Sequence, residues 1–217
     1  MEHIGRVYVV EDDEAVRDSL QILLESVDQV VEVFASADQF LTQYSEQMAG
    51  CIILDIRMPG MNGMELQRKL NDINSILPII FVTGHGDVPM AVEAMQQGAV
   101  DFVQKPYREQ ELLDKIGLAM RLDQENRASL LQQQLILENM QDLTPREQDV
   151  MTLMIEGKAN KVIAADLNIS KRTVEIHRAR VMEKLNANSL AHMVRMYMAV
   201  ESQARTGPLG PSEPIAR

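Results

Sequence analysis

Five polar residues stand at the ends of four apolar runs in the first half of the chain. Glu11 and Asp12 follow Val7-Tyr8-Val9-Val10, Asp55 closes Cys51-Ile52-Ile53-Leu54, Thr83 closes Ile79-Ile80-Phe81-Val82, and Lys105 follows Phe102-Val103-Gln104. In an open parallel α/β sheet the carboxyl ends of the strands share one crevice, and ligands bind there. Three carboxylates, a hydroxyl and an ammonium would then meet at one point. Acids suit a hard cation, while a hydroxyl donor and a positive charge suit the oxygens of a phosphoryl group. A carboxylate such as Asp55 can itself accept a phosphoryl group as an acyl phosphate. That transfer needs charge neutralisation more than proton chemistry, so Mg²⁺ is the expected helper. Asp12 and Asp55 would bind it, with Glu11 acting directly or through water. Thr83 would donate to a phosphoryl oxygen, and Lys105 would offset its charge.

The elements that must position these groups are legible as an alternation. Strands are expected at 6–10, 30–34, 51–54, 79–82 and 101–103, and helices near 14–25, 37–45, 63–72, 88–97 and from 108 onward. Five such repeats predict a doubly wound, five-stranded parallel sheet of the flavodoxin-like kind over residues 1–122. The helix after residue 108 runs into a stretch, 123–142, whose beginning is polar all round and which reads as a helical linker. Residues 143–205 read as a small all-α module. Thr144, Pro145 and Glu147 form a capping-box start, Gly157 a stop, Asn160 and Ser170 further caps, and a last helix covers roughly 189–202. The tail, 206–217, carries three prolines and two glycines and reads as disordered.

Composition narrows the class. The chain has 217 residues, which suits two small domains, and 46% apolar residues, enough for an ordinary core. It has no apolar run of transmembrane length, its start lacks a signal-peptide stretch, and its one cysteine, Cys51, sits inside an apolar run. A small buried hydrophobe is the expected role of Cys51, and a cytoplasmic location is the expectation. The net charge of −11 is uneven: residues 1–142 hold 10 basic and 24 acidic side chains, residues 143–217 hold 11 and 8. Within the second part, five basic residues and two acids fall between Lys171 and Lys184. An acidic chain with one basic helix points to nucleic-acid contact at that helix.

Each residue of the first constellation also has a plainer reading. Asp55 alone is a turn or cap residue, Thr83 a strand-to-loop junction, Lys105 a solvated lysine and Phe102 core. Their joint order on successive strands favours the site. Asp13 reads as the helix-capping acid. His85 has no neighbouring His or Cys and reads as a loop residue, and His3 and His192 carry no signal. The acidic pair, Leu-Asp-Ile-Arg-Met-Pro-Gly-Met-Asn-Gly, Thr-Gly-His-Gly-Asp and Lys-Pro together resemble the receiver domain of bacterial two-component response regulators, in order and spacing. The resemblance implies that Asp55 is the phospho-acceptor, Thr83 the switch hydroxyl, Phe102 the switch aromatic and Lys105 the family's lysine. It also implies that the backbone carbonyl of Arg57 completes the metal site and that Lys105-Pro106 is cis. Glu11 stands where many receivers have Asp.

In the basic helix Val174, Val181 and Leu185 share one face, while Arg172, Glu175, Ile176, Ala179 and Glu183 lie broadly opposite. Small apolar groups beside Arg and Glu suit a major groove, where they meet thymine methyls and base edges. Lys161, Thr173, Arg180 and Lys184 would reach phosphates. On charge alone, a merely solvated basic helix describes the segment as well. Leu143-Thr-Pro-Arg-Glu, Ser-Lys-Arg-Thr-Val-Glu-Ile-His-Arg and Lys184-Leu185 resemble the LuxR-type helix-turn-helix, in which His177 packs within the motif. The order of the two resemblances is that of a NarL/FixJ-type response regulator, most like the FixJ branch. It implies a transcription regulator rather than an enzyme, with a sensor histidine kinase, promoter DNA, RNA polymerase and a second copy of the chain as partners. Two rivals share some features: a Mg²⁺-dependent aspartyl-phosphate hydrolase, and a DNA-binding regulator whose receiver is not phosphorylated. Haloacid-dehalogenase-type phosphatases place a second Asp two residues after the nucleophile, and here that residue is Arg57. The complete acceptor set argues against the other rival.

Overall fold

The computed structural model describes the backbone of residues 5–84 and 88–205. His3, His85 and the tail 206–217 lie outside the described residues. By contact the chain divides into two units, Met1–Ala128 and Ser129–Arg217. Among the described residues no helix is long and apolar enough to cross a membrane.

The first unit alternates strand and helix: β1 (Arg6–Val10), α1 (Glu14–Glu25), β2 (Val31–Phe34), α2 (Ala37–Gln43), β3 (Gly50–Asp55), α3 (Gly63–Asp72), β4 (Ile79–Thr83), α4 (Val88–Gln96), β5 (Asp101–Gln104) and the first part of α5 (Glu109–Gln141), whose remainder belongs to the second unit. The five strands pair in parallel in the order β2-β1-β3-β4-β5. This is the doubly wound order in which the winding reverses between β1 and β3. Parallel strands with helices on both faces must be apolar on both sides. Accordingly Tyr8, Val10, Ile52, Leu54, Ile79 and Phe81 pack into one core layer, and Val7, Val9, Cys51, Ile53, Ile80 and Val82 into the other. Cys51 is fully buried, and burial pushes its thiol up to about 12, so it stays a protonated core residue.

Two glycines stand where no side chain fits. Gly50 opens β3 with φ +128°, and a Cβ there would lie 1.8 Å from the Arg6 carbonyl oxygen. A Cβ on Gly63 would lie 2.2 Å from the Asp55 carbonyl oxygen, so glycine lets α3 start directly against the end of β3.

The edge of this unit departs from the sequence expectation at 122. Asp123, expected in a polar linker, is 2% exposed. Its Oδ2 accepts a 2.9 Å hydrogen bond from the Gly50 N–H, and the Arg127 Nε–H reaches both of its oxygens at 3.0 and 2.9 Å. Arg127 also donates to the Met48 carbonyl. A polar stretch on a helix can thus be a buried ion pair that closes on the start of β3, and the first unit extends to Ala128.

The second unit holds α6 (Pro145–Ile155), α7 (Asn160–Asp166), α8 (Lys171–Lys184) and α9 (Leu190–Arg205). Val150, Met154, Ile163, Val174, Val181, Leu185 and Met193 form its core, with Ile136 of α5 also buried. Thr144 and Glu147 make the expected capping box, and Ser170 caps α8. Asn160 differs: it is the first helical residue of α7, Ala159 takes the cap position, and no side chain bonds there. The chain enters that helix one residue earlier than a cap by Asn160 requires.

Removing one partner of a buried, hydrogen-bonded charge leaves the other unpaired, typically at a cost of about 3 kcal/mol. Asp123→Ala is therefore expected to lower the stability of the first unit by about 3 kcal/mol in urea unfolding. A change within the noise of the fit would show that the Asp123–Arg127 pair does not hold α5 to this unit.

Candidate functional site

The carboxyl ends of β1 and β3 lie side by side, with Val10 paired to Leu54, and β4 continues the edge, with Asp55 paired to Val82. Glu11, Asp12, Asp55 and Thr83 all emerge there. Asp13 accepts from the N–H groups of Ala15 and Val16 at 2.9 and 3.1 Å, capping α1 as expected. That turn leaves Asp12 exposed and Glu11 buried, 2% exposed. Arg17 steadies the same turn by donating to the carbonyls of Glu11 and Asp12. Sequence reading missed Arg17, because a helix residue bonding back to the preceding loop leaves no periodic signal. It also missed Tyr107, whose hydroxyl is raised to about 12 by burial and by the charges of Glu11 and Glu109.

Oxygen atoms of Glu11, Asp12 and Asp55 all lie within 4.8 Å of one another. Lys105 reaches in from the end of β5: its Nζ is 2.7 Å from Glu11 Oε2 and 3.8 Å from Asp55 Oδ2. The Lys105-Pro106 bond is cis. Asp55 is 8% exposed, and burial pushes its carboxyl up, opposed by Lys105 and by hydrogen bonds from the Arg57 and Ile56 backbone. Burial likewise pushes Glu11 up, opposed by its hydrogen bond from Lys105 and reinforced by the charge of Asp55. Three clustered acids against one ammonium leave a local excess of negative charge. An all-oxygen cluster of this kind, partly open to water at Asp12, fits a small divalent cation that keeps some of its hydration. Thr83 is 2% exposed at the end of β4, and Phe102, half-buried, pairs with Phe81 and packs against the same core layer. The structure thus brings Glu11, Asp12, Asp55, Arg57, Thr83 and Lys105 to one edge of the sheet, with Phe102 on the neighbouring strand.

In the second unit Val174, Val181 and Leu185 of α8 are buried, and Arg172, Glu175, Ile176, Ala179 and Arg180 are exposed, as is Lys161 on α7. Ile176 is 47% exposed. Thr173 is half-buried, its hydroxyl 2.7 Å from that of Ser170. His177 is half-buried. Lys184 departs from its expected place at a phosphate. Its Nζ is 2.7 Å from Glu147 Oε2 and 3.0 Å from the Asp142 carbonyl oxygen. Lysine at the end of α8 faces the acid of the α6 capping box, so its charge is spent inside the module.

Residues 7–117 match the family described as "Response regulator receiver domain", and residues 141–197 the one described as "Bacterial regulatory proteins, luxR family". The chain therefore belongs to the two-component response regulators that join a receiver domain to a luxR-type DNA-binding domain, and it is a DNA-binding transcription regulator. Its relatives include the transcriptional regulatory protein FixJ of Rhizobium meliloti (strain 1021), 43% identical over 206 residues, 95% of this chain and 98% of that one. The response regulator protein TodT of Pseudomonas putida is 42% identical over 190 residues, covering 88% and 84%. Among solved structures, the response regulator StyR is 44% identical with a TM-score of 0.78, covering 89% of this chain and 98% of that one. Full-length FixJ from B. japonicum is 43% identical with a TM-score of 0.55, covering 91% and 98%.

The Lys184 contact has a measurable consequence. Its hydrogen bond, with that of the Thr144 backbone, holds the Glu147 carboxyl at about 2. A depressed carboxylate stabilises the fold above its unfolded value near 4.5, and that share is lost as pH falls through about 2. Lys184→Ala is expected to cost the second unit about 2 kcal/mol at pH 7 and clearly less at pH 2, where Glu147 gains its proton. An equal loss at both pH values would show that Lys184 acts through packing alone.

Proposed function

We propose that this regulator is switched by phosphorylation of Asp55, with a sensor histidine kinase as donor. The observation that carries the reading is the Asp55 carboxylate itself, set in a cluster with Glu11 and Asp12 and 3.8 Å from the Lys105 ammonium. A Mg²⁺ held by Asp12, Asp55 and Glu11, with the Arg57 carbonyl, would supply charge neutralisation for the phosphoryl oxygens. An oxygen of Asp55 forms the new O–P bond while the donor's P–N bond breaks. The electron pair returns to the donor imidazole, which takes up a proton. Lys105 offsets charge at the phosphoryl group, and the Thr83 hydroxyl donates to one of its oxygens. The chain accepts one group and is reset by hydrolysis, so it is a switch and not a turnover enzyme.

Thr83 moving toward the phosphoryl group would vacate space that Phe102 can fill, a shift between two packings. α4 is the next element after β4. Ala91 and Ala94 are fully buried, while Val92 and Met95 are 51% and 40% exposed. This apolar outer face, with β5 beside it, is the proposed contact between two phosphorylated copies. Two copies would place two α8 helices on paired DNA half-sites. Arg172 and Glu175 would read base edges, with Ile176 and Ala179 as apolar neighbours. Lys161, Thr173 and Arg180 would contact phosphates. The working location is the cytoplasm, with RNA polymerase as the downstream partner.

Acetyl phosphate with Mg²⁺ is expected to add one labile phosphoryl mass to the wild type and none to Asp55→Asn, and to make the wild type sediment as a dimer at tens of micromolar. An undiminished mass shift in the variant would remove Asp55 as acceptor.

On DNA, Glu175→Ala is expected to relax preference at one base pair, worth roughly 1–3 kcal/mol, without changing the salt slope. A selection on randomised half-sites reads this directly. Unchanged preference at every position would mean that another face of α8 reads the sequence.

A further inference from the structure

The carboxyl end of α4 is fastened to α3 by two side-chain amides. Gln67 and Asn71 are one turn apart and so share a face of α3. The Gln67 Nε2 donates to the Ala94 carbonyl at 3.0 Å, and the Asn71 Nδ2 to the Gln97 carbonyl at 2.9 Å. The Ala94 carbonyl also accepts from the Gln97 and Ala99 N–H groups, so Gln67 adds a cross-helix donor to the turn that ends α4.

Gln67 is 1% exposed, and its Oε1 has no partner among the described residues. Turning the amide over would set that oxygen against the Ala94 carbonyl, so the orientation is forced. An unpaired buried acceptor is costly, and an apolar side chain of similar size would pack without that cost. Glutamine here therefore serves its bond to α4. Among the described residues no side chain of another element bonds the first turn of α4, which begins five residues after Thr83.

We propose that Gln67 and Asn71 are positioning residues that pin the carboxyl end of α4, so that a change at Thr83 turns the helix about that end. The inference rests on Asp55 and Thr83 forming the switch. α4 is about 13 Å long. A pivot at Ala94–Gln97 moves its first turn most and re-aims Val92, while the core contacts of Ala91 and Ala94 limit sliding. The clip thus converts a small displacement at the sheet edge into a reorientation of the exposed apolar face.

The test is amide-resolved hydrogen exchange on the full chain, with and without beryllofluoride and Mg²⁺ as the phosphoryl mimic. In the wild type, Val92 and Glu93, whose N–H groups bond first-turn carbonyls, should change their exchange by about fivefold or more, with Gln97, Gly98 and Ala99 nearly unchanged. In Gln67→Leu/Asn71→Ala the change should extend through 97–99. Beryllofluoride-driven dimerisation should weaken about tenfold while the mimic still saturates the site. Asn71→Ala alone, at an exposed position, gives the same readout without touching the core. Equal changes at both ends of α4 in the wild type, or wild-type dimerisation in the double variant, would overturn the pivot. No exchange response anywhere, including the strand ends at Val10 and Asp55, would instead remove the acceptor reading beneath it.

Discussion

Three carboxylates within 4.8 Å of one another repel, and the fold keeps them together because Lys105 sits among them. The arrangement depends on the sheet order. Placing β3 between β1 and β4 brings Asp55 beside Glu11 and Asp12 on one side and Thr83 on the other, and β5 at the edge delivers Lys105. One ammonium cannot balance three acids, and burial raises Asp55 and Glu11 while Lys105 pulls both back. The centre is therefore built to gain from an added positive charge. Excess negative charge here is what a cation site needs, and a cation is what a carboxylate needs before it can accept an anionic group.

Much of this was legible because the relevant signals are local or periodic. Apolar runs of three to five residues marked the bounds of β1 outright and each end of the other strands to within one residue. Asp13 and the Thr144–Glu147 box were readable because capping uses short, fixed spacings. The site residues were readable because each ends a strand, and strand ends in a parallel sheet have one common destination.

What was not legible involves partners far apart in the chain. Asp123 looked solvated because its neighbours are polar, yet the Gly50 N–H, 73 positions away, buries it. Lys184 looked free because it ends a basic helix, yet it answers Glu147 across 37 positions. In both cases a charged side chain on a polar helix face is held by a group that no local window contains. Asn160 failed for the opposite reason. Its type suits a cap, but α7 begins one residue earlier, and side-chain preference gave way to backbone geometry.

Electrostatics also constrain how the second unit can meet DNA. Residues 1–142 carry fourteen more acids than bases, which would repel a duplex if the whole chain were felt at once. At physiological salt the screening length is about 8 Å, so a phosphate touching α8 senses mainly the charges that lie within that distance. The positive charge there is weaker than the count of basic residues implies, since Lys184 is committed to Glu147. A single module with so few free cations releases few counterions, and its affinity should be modest. Joining two modules makes the second contact intramolecular and raises the effective local concentration without any new charge. The acidic first unit and the short basic helix would suit the proposed arrangement, in which pairing of copies gates DNA binding.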